Sequence, residues 1–211
     1  MSSSESNGKG PVFDTGKLID LKLMTPEGSA KVITVRFPTD QEWIDRQRRK
    51  KFFVKNLGRG KSETIVPDSN EVDEELVAKL RKDDGAVTID GYEATQALDQ
   101  LGSATIDDVV REAEGYRVTI QVPGAITSHL IRMPTAKEVT LYRRAFTRIL
   151  DLPYAKQEYT INLGAAGNLY GALAKEQTGY AGAVPIMHKV VVVKAAIETL
   201  ESEVGVNGPD F

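Results

Sequence analysis

The chain lacks cysteine altogether, and its 211 residues include only two histidines and one tryptophan. Without cysteine a protein has no disulfides, no thiolate zinc site and no cysteine nucleophile. The two histidines, His129 and His188, have no second histidine or carboxylate at a metal-ligand spacing such as HExxH. We therefore interpret both as structural, and we expect neither a metal nor a cofactor.

Long hydrophobic runs are also missing. No stretch approaches the roughly 18 apolar residues of a membrane-spanning helix. The first ten residues, MSSSESNGKG, are polar and lack the apolar core of a signal peptide. A composition of 41% hydrophobic and 27% charged residues is typical of globular chains. These features predict a protein without a membrane partner, and the absence of cysteine fits a reducing cytoplasm.

No set of acid, base and nucleophile can be named in the sequence. Residues 58–62, GRGKS, end like a phosphate-binding loop, but position 55 is Lys where that motif needs Gly, and no apolar strand precedes it. Residues 164–167, GAAG, lack the spacing of a dinucleotide-binding loop. We interpret the first segment as a glycine-rich turn and the second as a close helix contact. We therefore expect the protein not to be an enzyme.

An internal repeat is the strongest positive feature. Residues 36–79 and 132–175, placed 96 residues apart without a gap, share nine identities in 44 positions, where unrelated sequences share about three. The identities include Thr64 and Ile65, which fall on Thr160 and Ile161. The repeat predicts an α+β fold of two tandem units, each a β-hairpin followed by helices. The units would span residues 17–114 and 115–204, between a flexible arm at 1–16 and a tail at 205–211.

Each unit begins with a pattern typical of a hairpin. Residues 18–25 and 31–37 alternate apolar and polar side chains around a Pro-Glu-Gly turn. Residues 117–122 and 127–133 repeat this pattern around Pro-Gly. The two units could pack together as a pseudo-dimer or be joined only by the segment near residues 102–115.

A helix start follows each hairpin. Thr39 with Glu42, and Thr135 with Glu138, have the spacing of a capping box. This role accounts for both glutamates without acid–base catalysis. We expect the two helices to end close to Gly58 and to Pro153.

The remaining periodicity predicts further helices over residues 70–82, 91–101, 105–113 and 185–204, and a small-residue helix or turn over 164–175. The helix over 105–113 would open with Thr105 and Asp108. A strand is the alternative for residues 190–193, because four consecutive valines favour β structure. We expect the core to be buried by the apolar faces of residues 139–150 and 186–204.

Charge is distributed unevenly in the first unit. Eight bases and no acid occur between residues 46 and 61: Arg46, Arg48, Arg49, Lys50, Lys51, Lys55, Arg59 and Lys61. Eight acids and three bases follow between residues 63 and 84. The basic segment could contact nucleic-acid phosphates, bind a protein partner or a second copy, or be a solvated face. Opposite blocks so close together favour pairing, within the chain or head to tail between copies.

The second unit carries a family resemblance. Residues 118–123, VTIQVP, and 130–138, LIRMPTAKE, combine a strand ending in Pro, a turn, and a second strand ending in Arg-x-Pro-Thr. This pattern, with the similar residues 21–42, resembles the short tail-assembly chaperones of contractile-tailed phages. The resemblance implies a non-enzymatic protein in the bacterial host cytoplasm or the virion. It would bind the helical tape-measure protein and gather tail-tube subunits, or be a tail or baseplate component itself. A nucleic-acid-binding protein using residues 46–61 is the alternative.

Overall fold

The structure is a computed structural model that describes residues 10–65, 70–83, 85–153 and 156–204. The first half contains the strands and helices β1 (Leu18–Met24), β2 (Ala30–Arg36), α1 (Asp40–Arg49), β3 (Phe52–Gly58), β4 (Lys61–Ile65), α2 (Asn70–Leu80) and α3 (Gly91–Gly102). The second half contains β5 (Thr105–Glu112), β6 (Gly115–Val122), β7 (Ala125–Ile131), α4 (Ala136–Phe146), β8 (Thr147–Leu152), β9 (Lys156–Ile161), α5 (Leu163–Leu173), β10 (Ala174–Thr178) and α6 (Ile186–Val204). The fold is therefore α+β, as predicted.

The described strands form three antiparallel sheets. β1 and β2 make a two-stranded sheet, and a four-stranded sheet has the order β10-β7-β6-β5. The third sheet has the order β4-β3-β9-β8, so it combines a hairpin from each half of the chain. None of the helices in the described ranges has both the length and the hydrophobicity needed to cross a membrane.

One hydrophobic core connects the two halves. Helices α2 and α3 cover the β1–β2 hairpin, while α5 and α6 pack against each other and α6 covers β5 and β6. Trp43 of α1 is fully buried against Gly102, which α6 also approaches through Met187. Asp40 adds a polar link, because its carboxylate accepts the backbone N–H of Ile186 at 2.8 Å and pairs with Lys189 at 3.1 Å. The first turns of α1 and α6 are thereby held together.

Both predicted hairpins and both capping boxes are present. The Thr39 hydroxyl accepts a hydrogen bond from the backbone N–H of Glu42, and the Thr135 hydroxyl accepts one from that of Glu138. In return, each glutamate carboxylate accepts a hydrogen bond from the backbone N–H of its threonine at 2.9 Å. Each glutamate also receives two hydrogen bonds from the arginine that ends the preceding hairpin, Arg36 or Arg132. These arginine bonds are the main reason that the pKa values of Glu42 and Glu138 fall to about 2. The Arg-x-Pro-Thr-x-x-Glu pattern therefore joins strand to helix.

We expect Thr39→Ala and Thr135→Ala each to lower the free energy of unfolding by about 1 kcal/mol, because each leaves a helix N-terminal amide without its acceptor. Urea denaturation measures the change. Thr140→Ala is the matched control, since its hydroxyl bonds only to the Ala136 carbonyl within the same helix. Equal stability of Thr135→Ala and Thr140→Ala would contradict the capping assignment.

The predicted ends of the two capped helices are wrong. α1 ends at Arg49 and α4 at Phe146, and hairpins follow where helix was expected to continue towards Gly58 and Pro153. Residues 52–54 are aromatic or β-branched and favour a strand, and the glycine-rich turn at 58–60 has positive φ at all three residues, which closes the hairpin. Ile149 and Leu150, expected in the core, lie on β8 and are about half exposed.

The predicted helix over residues 105–113 is also wrong. The segment is strand β5, which pairs with β6 through a two-residue connection, and Thr105 and Asp108 face Gln121 and Thr119 across the ladder. Two adjacent valines and a partner strand outweigh the capping spacing here. By contrast, the predicted helix ending at Val204 is present as α6, and residues 190–193 belong to it rather than to a strand.

The described part of the N-terminal arm is anchored. Phe13 is 5% exposed, its backbone exchanges hydrogen bonds with Gly179 and Ala181, and its ring packs against Phe37. The prediction of a flexible arm is therefore wrong for this part. The reason is that burial of one aromatic ring stabilises the segment more than its polar neighbours destabilise it. Residues 1–9 of the arm and the predicted tail at 205–211 lie outside the described residues.

The order of elements is the same in the two halves from the first predicted hairpin onwards: hairpin, helix, hairpin, helix, helix, with β10 added before the last helix. β5 precedes the second series. The tandem duplication stays a prediction, but both halves place a capped helix between two hairpins.

Candidate functional site

The sheet β4-β3-β9-β8 is the place where the second hairpins of the two halves meet. The Phe52 and Tyr159 rings stack across β3 and β9 at 5.0 Å, and the Lys156 ammonium lies 3.9 Å from the Phe53 ring centre. Lys51, just before β3, pairs with Glu158 of β9 at 2.8 Å. The seam between the halves is thus made of backbone pairing, aromatic stacking and one ion pair.

Other elements cover little of this sheet, although α1 contacts β9 and α4 contacts β8. No described residue of its four strands is buried, and all five residues of β4 are exposed. Its exposed apolar side chains are those of Leu57, Ile65, Ile149 and Leu150. In the sheet that contains β6, by contrast, Tyr116, Val118 and Ile120 are completely buried. A sheet with no buried residue and with exposed apolar residues is a surface that suits a protein partner.

One face of the sheet forms an open hollow of about 510 Å³. Polar and charged residues line much of it, including Asn56, Lys61, Asp151 and Gln157. Gly60 of the β3–β4 turn, Leu152 at the end of β8 and Lys156 at the start of β9 border the hollow.

The basic segment is divided among three elements. Arg46, Arg48 and Arg49 lie on α1, Lys50 and Lys51 link it to β3, and Lys55, Arg59 and Lys61 lie on or beside the β3–β4 turn. The first five have acidic partners in the described residues, the main one being Asp73. The structure therefore brings the basic and acidic blocks together within the chain.

Asp73 of α2 is completely buried, and its carboxylate accepts hydrogen bonds from three side chains. Arg46 donates to it at 2.7 and 3.0 Å, Lys50 at 2.7 Å and the Thr95 hydroxyl at 2.7 Å. Burial raises the pKa of Asp73, but these three donors together outweigh burial and hold the pKa below its usual value. This cluster ties α1 to α2 and α3, so Arg46 and Lys50 have a structural role.

The other paired bases lie at the surface. Arg49 pairs with Glu75 at 2.6 Å, and Arg48 approaches Asp45 at 3.5 Å. Within the described residues no acid pairs with Lys55, Arg59 or Lys61. The unpaired positive charge of the segment is therefore confined to the hairpin that belongs to the β4-β3-β9-β8 sheet.

The two histidines meet inside the protein, although 59 positions separate them in the sequence. Both are completely buried, and Tyr180 lies between them. Its hydroxyl oxygen is 3.3 Å from His129 Nε2 and 3.2 Å from His188 Nδ1. His129 Nδ1 also bonds to the Tyr170 hydroxyl at 2.8 Å. Burial lowers the pKa of each histidine to about 4. The cluster is uncharged at neutral pH and joins β7, α5 and α6.

Metal ligands do not gather anywhere in the described ranges: no three His, Asp or Glu side chains lie close enough to hold an ion. The comparisons with known proteins found no match. This holds for protein families, for curated proteins and for solved structures. The sheet β4-β3-β9-β8 and its charges are the features of the molecule that point to a function.

Sequence reasoning missed the two hairpins that build this sheet. A signal was present, because residues 52–57 and 61–65 are short β-prone runs on either side of a Gly-Arg-Gly turn. Residues 147–152 and 156–161 lie on either side of Pro153, a residue typical of turns. Basic charge in the first copy and helical spacing in the second concealed both patterns.

Proposed function

We propose that the protein is a non-enzymatic assembly or structural protein of phage tails that works through protein–protein surfaces. The observation that carries this proposal is the four-stranded sheet in which no described residue is buried. A sheet of this size normally packs at least one face against a core. Here no described residue of the four strands is buried, although α1 contacts β9, and this leaves a surface that a partner can cover.

The partner class follows from the phage resemblance of residues 21–42 and 118–138. Under this proposal the protein binds a long helical tape-measure protein or a tail-tube protein, as a chaperone or as a lasting component of the tail. The sheet offers apolar contacts at Leu57 and Leu150, and positive charge at Lys55, Arg59 and Lys61. Leu150 and Lys55 lie on the same face, because Leu150 is opposite Glu158, which is opposite Phe53. An acidic amphipathic helix matches this combination of apolar and basic groups.

Co-purification with a tape-measure protein and with a tail-tube protein tests the proposal. We expect capture of one of them, and we expect Leu57→Asp with Leu150→Asp to reduce capture at least tenfold. Val32→Asp with Ile126→Asp is the matched control, because those side chains are equally exposed on the first hairpin of each half. Failure of the unmutated chain to capture either protein would overturn the proposal, as would equal loss in the control.

Nucleic-acid binding is the second candidate, favoured by the three bases of the β3–β4 hairpin that have no acidic partner among the described residues. We expect no retention on DNA or RNA at low salt, because three phosphate contacts give weak binding. Retention that falls with salt and disappears in the triple variant Lys55→Gln, Arg59→Gln and Lys61→Gln would favour this candidate instead. Arg48→Gln with Arg49→Gln is the control for general loss of positive charge.

A further inference from the structure

The β4-β3-β9-β8 sheet ends in two different edge strands, β4 on one side and β8 on the other. An edge strand presents unpaired N–H and C=O groups that another chain can pair with. Neither strand contains the proline that commonly blocks such an edge. Ile65 on β4 and Ile149 and Leu150 on β8 leave apolar side chains exposed beside these groups. Both edges are therefore suited to strand addition.

The two hairpins of this sheet have the same internal register. Phe53 pairs with Ile65, and the residues 95 positions later, Arg148 and Thr160, also pair. The next three pairs of the first hairpin have counterparts at the same distance. β8 is thus the structural equivalent of β3, and β9 that of β4. The two capping boxes are 96 positions apart, whereas the equivalent strands are 95 apart, so the second half has one residue fewer between its capping box and its second hairpin. The sequence match of residues 64–65 to 160–161 therefore does not join structurally equivalent residues.

The halves are joined head to tail in this sheet. β3 of the first hairpin pairs with β9, the equivalent of β4, rather than with its own equivalent β8. A two-fold arrangement would pair like strands with each other. Head-to-tail pairing leaves one free edge at each end of the sheet. The free edge of β8 is equivalent to the edge of β3 that pairs with β9. The free edge of β4 is equivalent to the edge of β9 that pairs with β3.

We propose that β8 of one molecule pairs antiparallel with β4 of a second copy of this chain, which repeats between molecules the junction that joins the two halves. The proposal deepens the proposed assembly function, on which it rests for its biological role, by naming one partner. Head-to-tail contacts generate a ring if the rotation closes and a filament if it does not.

The register of the internal junction determines that of the external one. Inside the chain Phe53 faces Glu158 and Val54 faces Gln157. The same register between copies places Arg148 of one molecule opposite Glu63 of the next. Both side chains are exposed and have no ion-pair partner among the described residues. Opposite charges facing each other across a strand pair stabilise it, so the charges of the two edges are complementary.

Sedimentation velocity of the full chain at increasing concentration tests self-association. We expect species larger than a dimer to appear as the concentration rises, since each added copy presents a new free edge. A chain that stays monomeric at every concentration overturns the inference. A closed dimer that grows no further also overturns it, because it indicates pairing of like edges.

Charge reversal tests the register. Glu63→Lys and Arg148→Glu each place like charges opposite each other, and we expect either to raise the dissociation constant about five-fold at low ionic strength. The double variant restores opposite charges and should associate as the unmutated chain does. An equal mixture of the two single variants should also regain association, because each supplies the edge that the other has lost.

Glu27→Lys and Arg144→Glu are the matched controls, since both side chains are exposed and neither residue belongs to β4 or β8. If these controls weaken association as much as the edge variants, or if the double variant does not recover, the register is wrong. Capture of tail proteins by a strictly monomeric chain would remove this inference and leave the proposed function standing. Self-association without capture of a tail protein would support this inference and overturn the proposed function.

Discussion

Asp73→Asn is expected to lower the free energy of unfolding by about 3–5 kcal/mol. The carboxylate is completely buried and accepts Arg46, Lys50 and Thr95, so the isosteric amide leaves two cations facing a neutral group that can accept only part of their hydrogen bonds. Removing one partner of a buried ion pair costs far more than the pair itself contributes, because the remaining charge stays desolvated.

Urea denaturation at neutral pH measures this loss. The matched control is Glu75→Gln, which removes a carboxylate from the same helix whose ion pair with Arg49 is about half exposed. Exposed pairs contribute less than about 1 kcal/mol. A loss below 1 kcal/mol for Asp73→Asn, or losses of equal size in the two variants, would show that this cluster does not hold α1 to α2 and α3.

The second large effect concerns pH. The pKa values of His129 and His188 fall from 6.5 to about 4 in the folded protein, mainly because burial disfavours the charged ring. For His188, proximity to His129 lowers the pKa further, and Asp40 partly offsets this. Both rings are therefore neutral in the folded state at pH values where the unfolded chain binds protons.

The sign follows from proton counting. The unfolded state takes up protons as pH falls below 6.5, whereas the folded state does so only near pH 4, so stability decreases on acidification. Between about pH 7.5 and pH 5 we expect a loss of about 2 kcal/mol for each histidine. Glu42 and Glu138, with pKa values of about 2, lower stability only at more acidic pH, as the unfolded glutamates protonate near 4.5.

Urea denaturation at the two pH values measures the loss, and NMR titration of the ring protons measures the folded pKa values directly. His188→Gln, which can keep the hydrogen bond to Tyr180, should remove about half of the pH dependence. Equal stability at both pH values, or rings that titrate near 6.5 in the folded protein, would contradict the prediction.

The parts of the fold that local signals determine were predictable. The hairpins that begin each half depend on turn residues between alternating strands, and the capping boxes depend on a Thr and a Glu three residues apart. α6 was predictable because its apolar residues recur at helical spacing over five turns. In each case the decisive residues lie within one element of the sequence.

The incorrect predictions involve segments whose structure depends on distant partners. Residues 105–112 have a helix-cap spacing but become a strand because β6 offers an edge to pair with. Residues 147–152 continue a helical pattern but form β8 because β9 folds back on them. Strand pairing adds backbone hydrogen bonds that local propensity does not include.

The sequence by itself determined the two capping boxes at Thr39 and Thr135, the hairpins before them and the opposed charge blocks, and it predicts the repeat. Only the tertiary structure decided how these parts are used. It neutralised most of the basic segment on Asp73 and nearby acids, buried both histidines around Tyr180, and left every strand of the β4-β3-β9-β8 sheet at least partly exposed. The physical reason is that repeats and caps depend on neighbours in the chain, whereas burial, ion pairing and free strand edges depend on which distant segments meet.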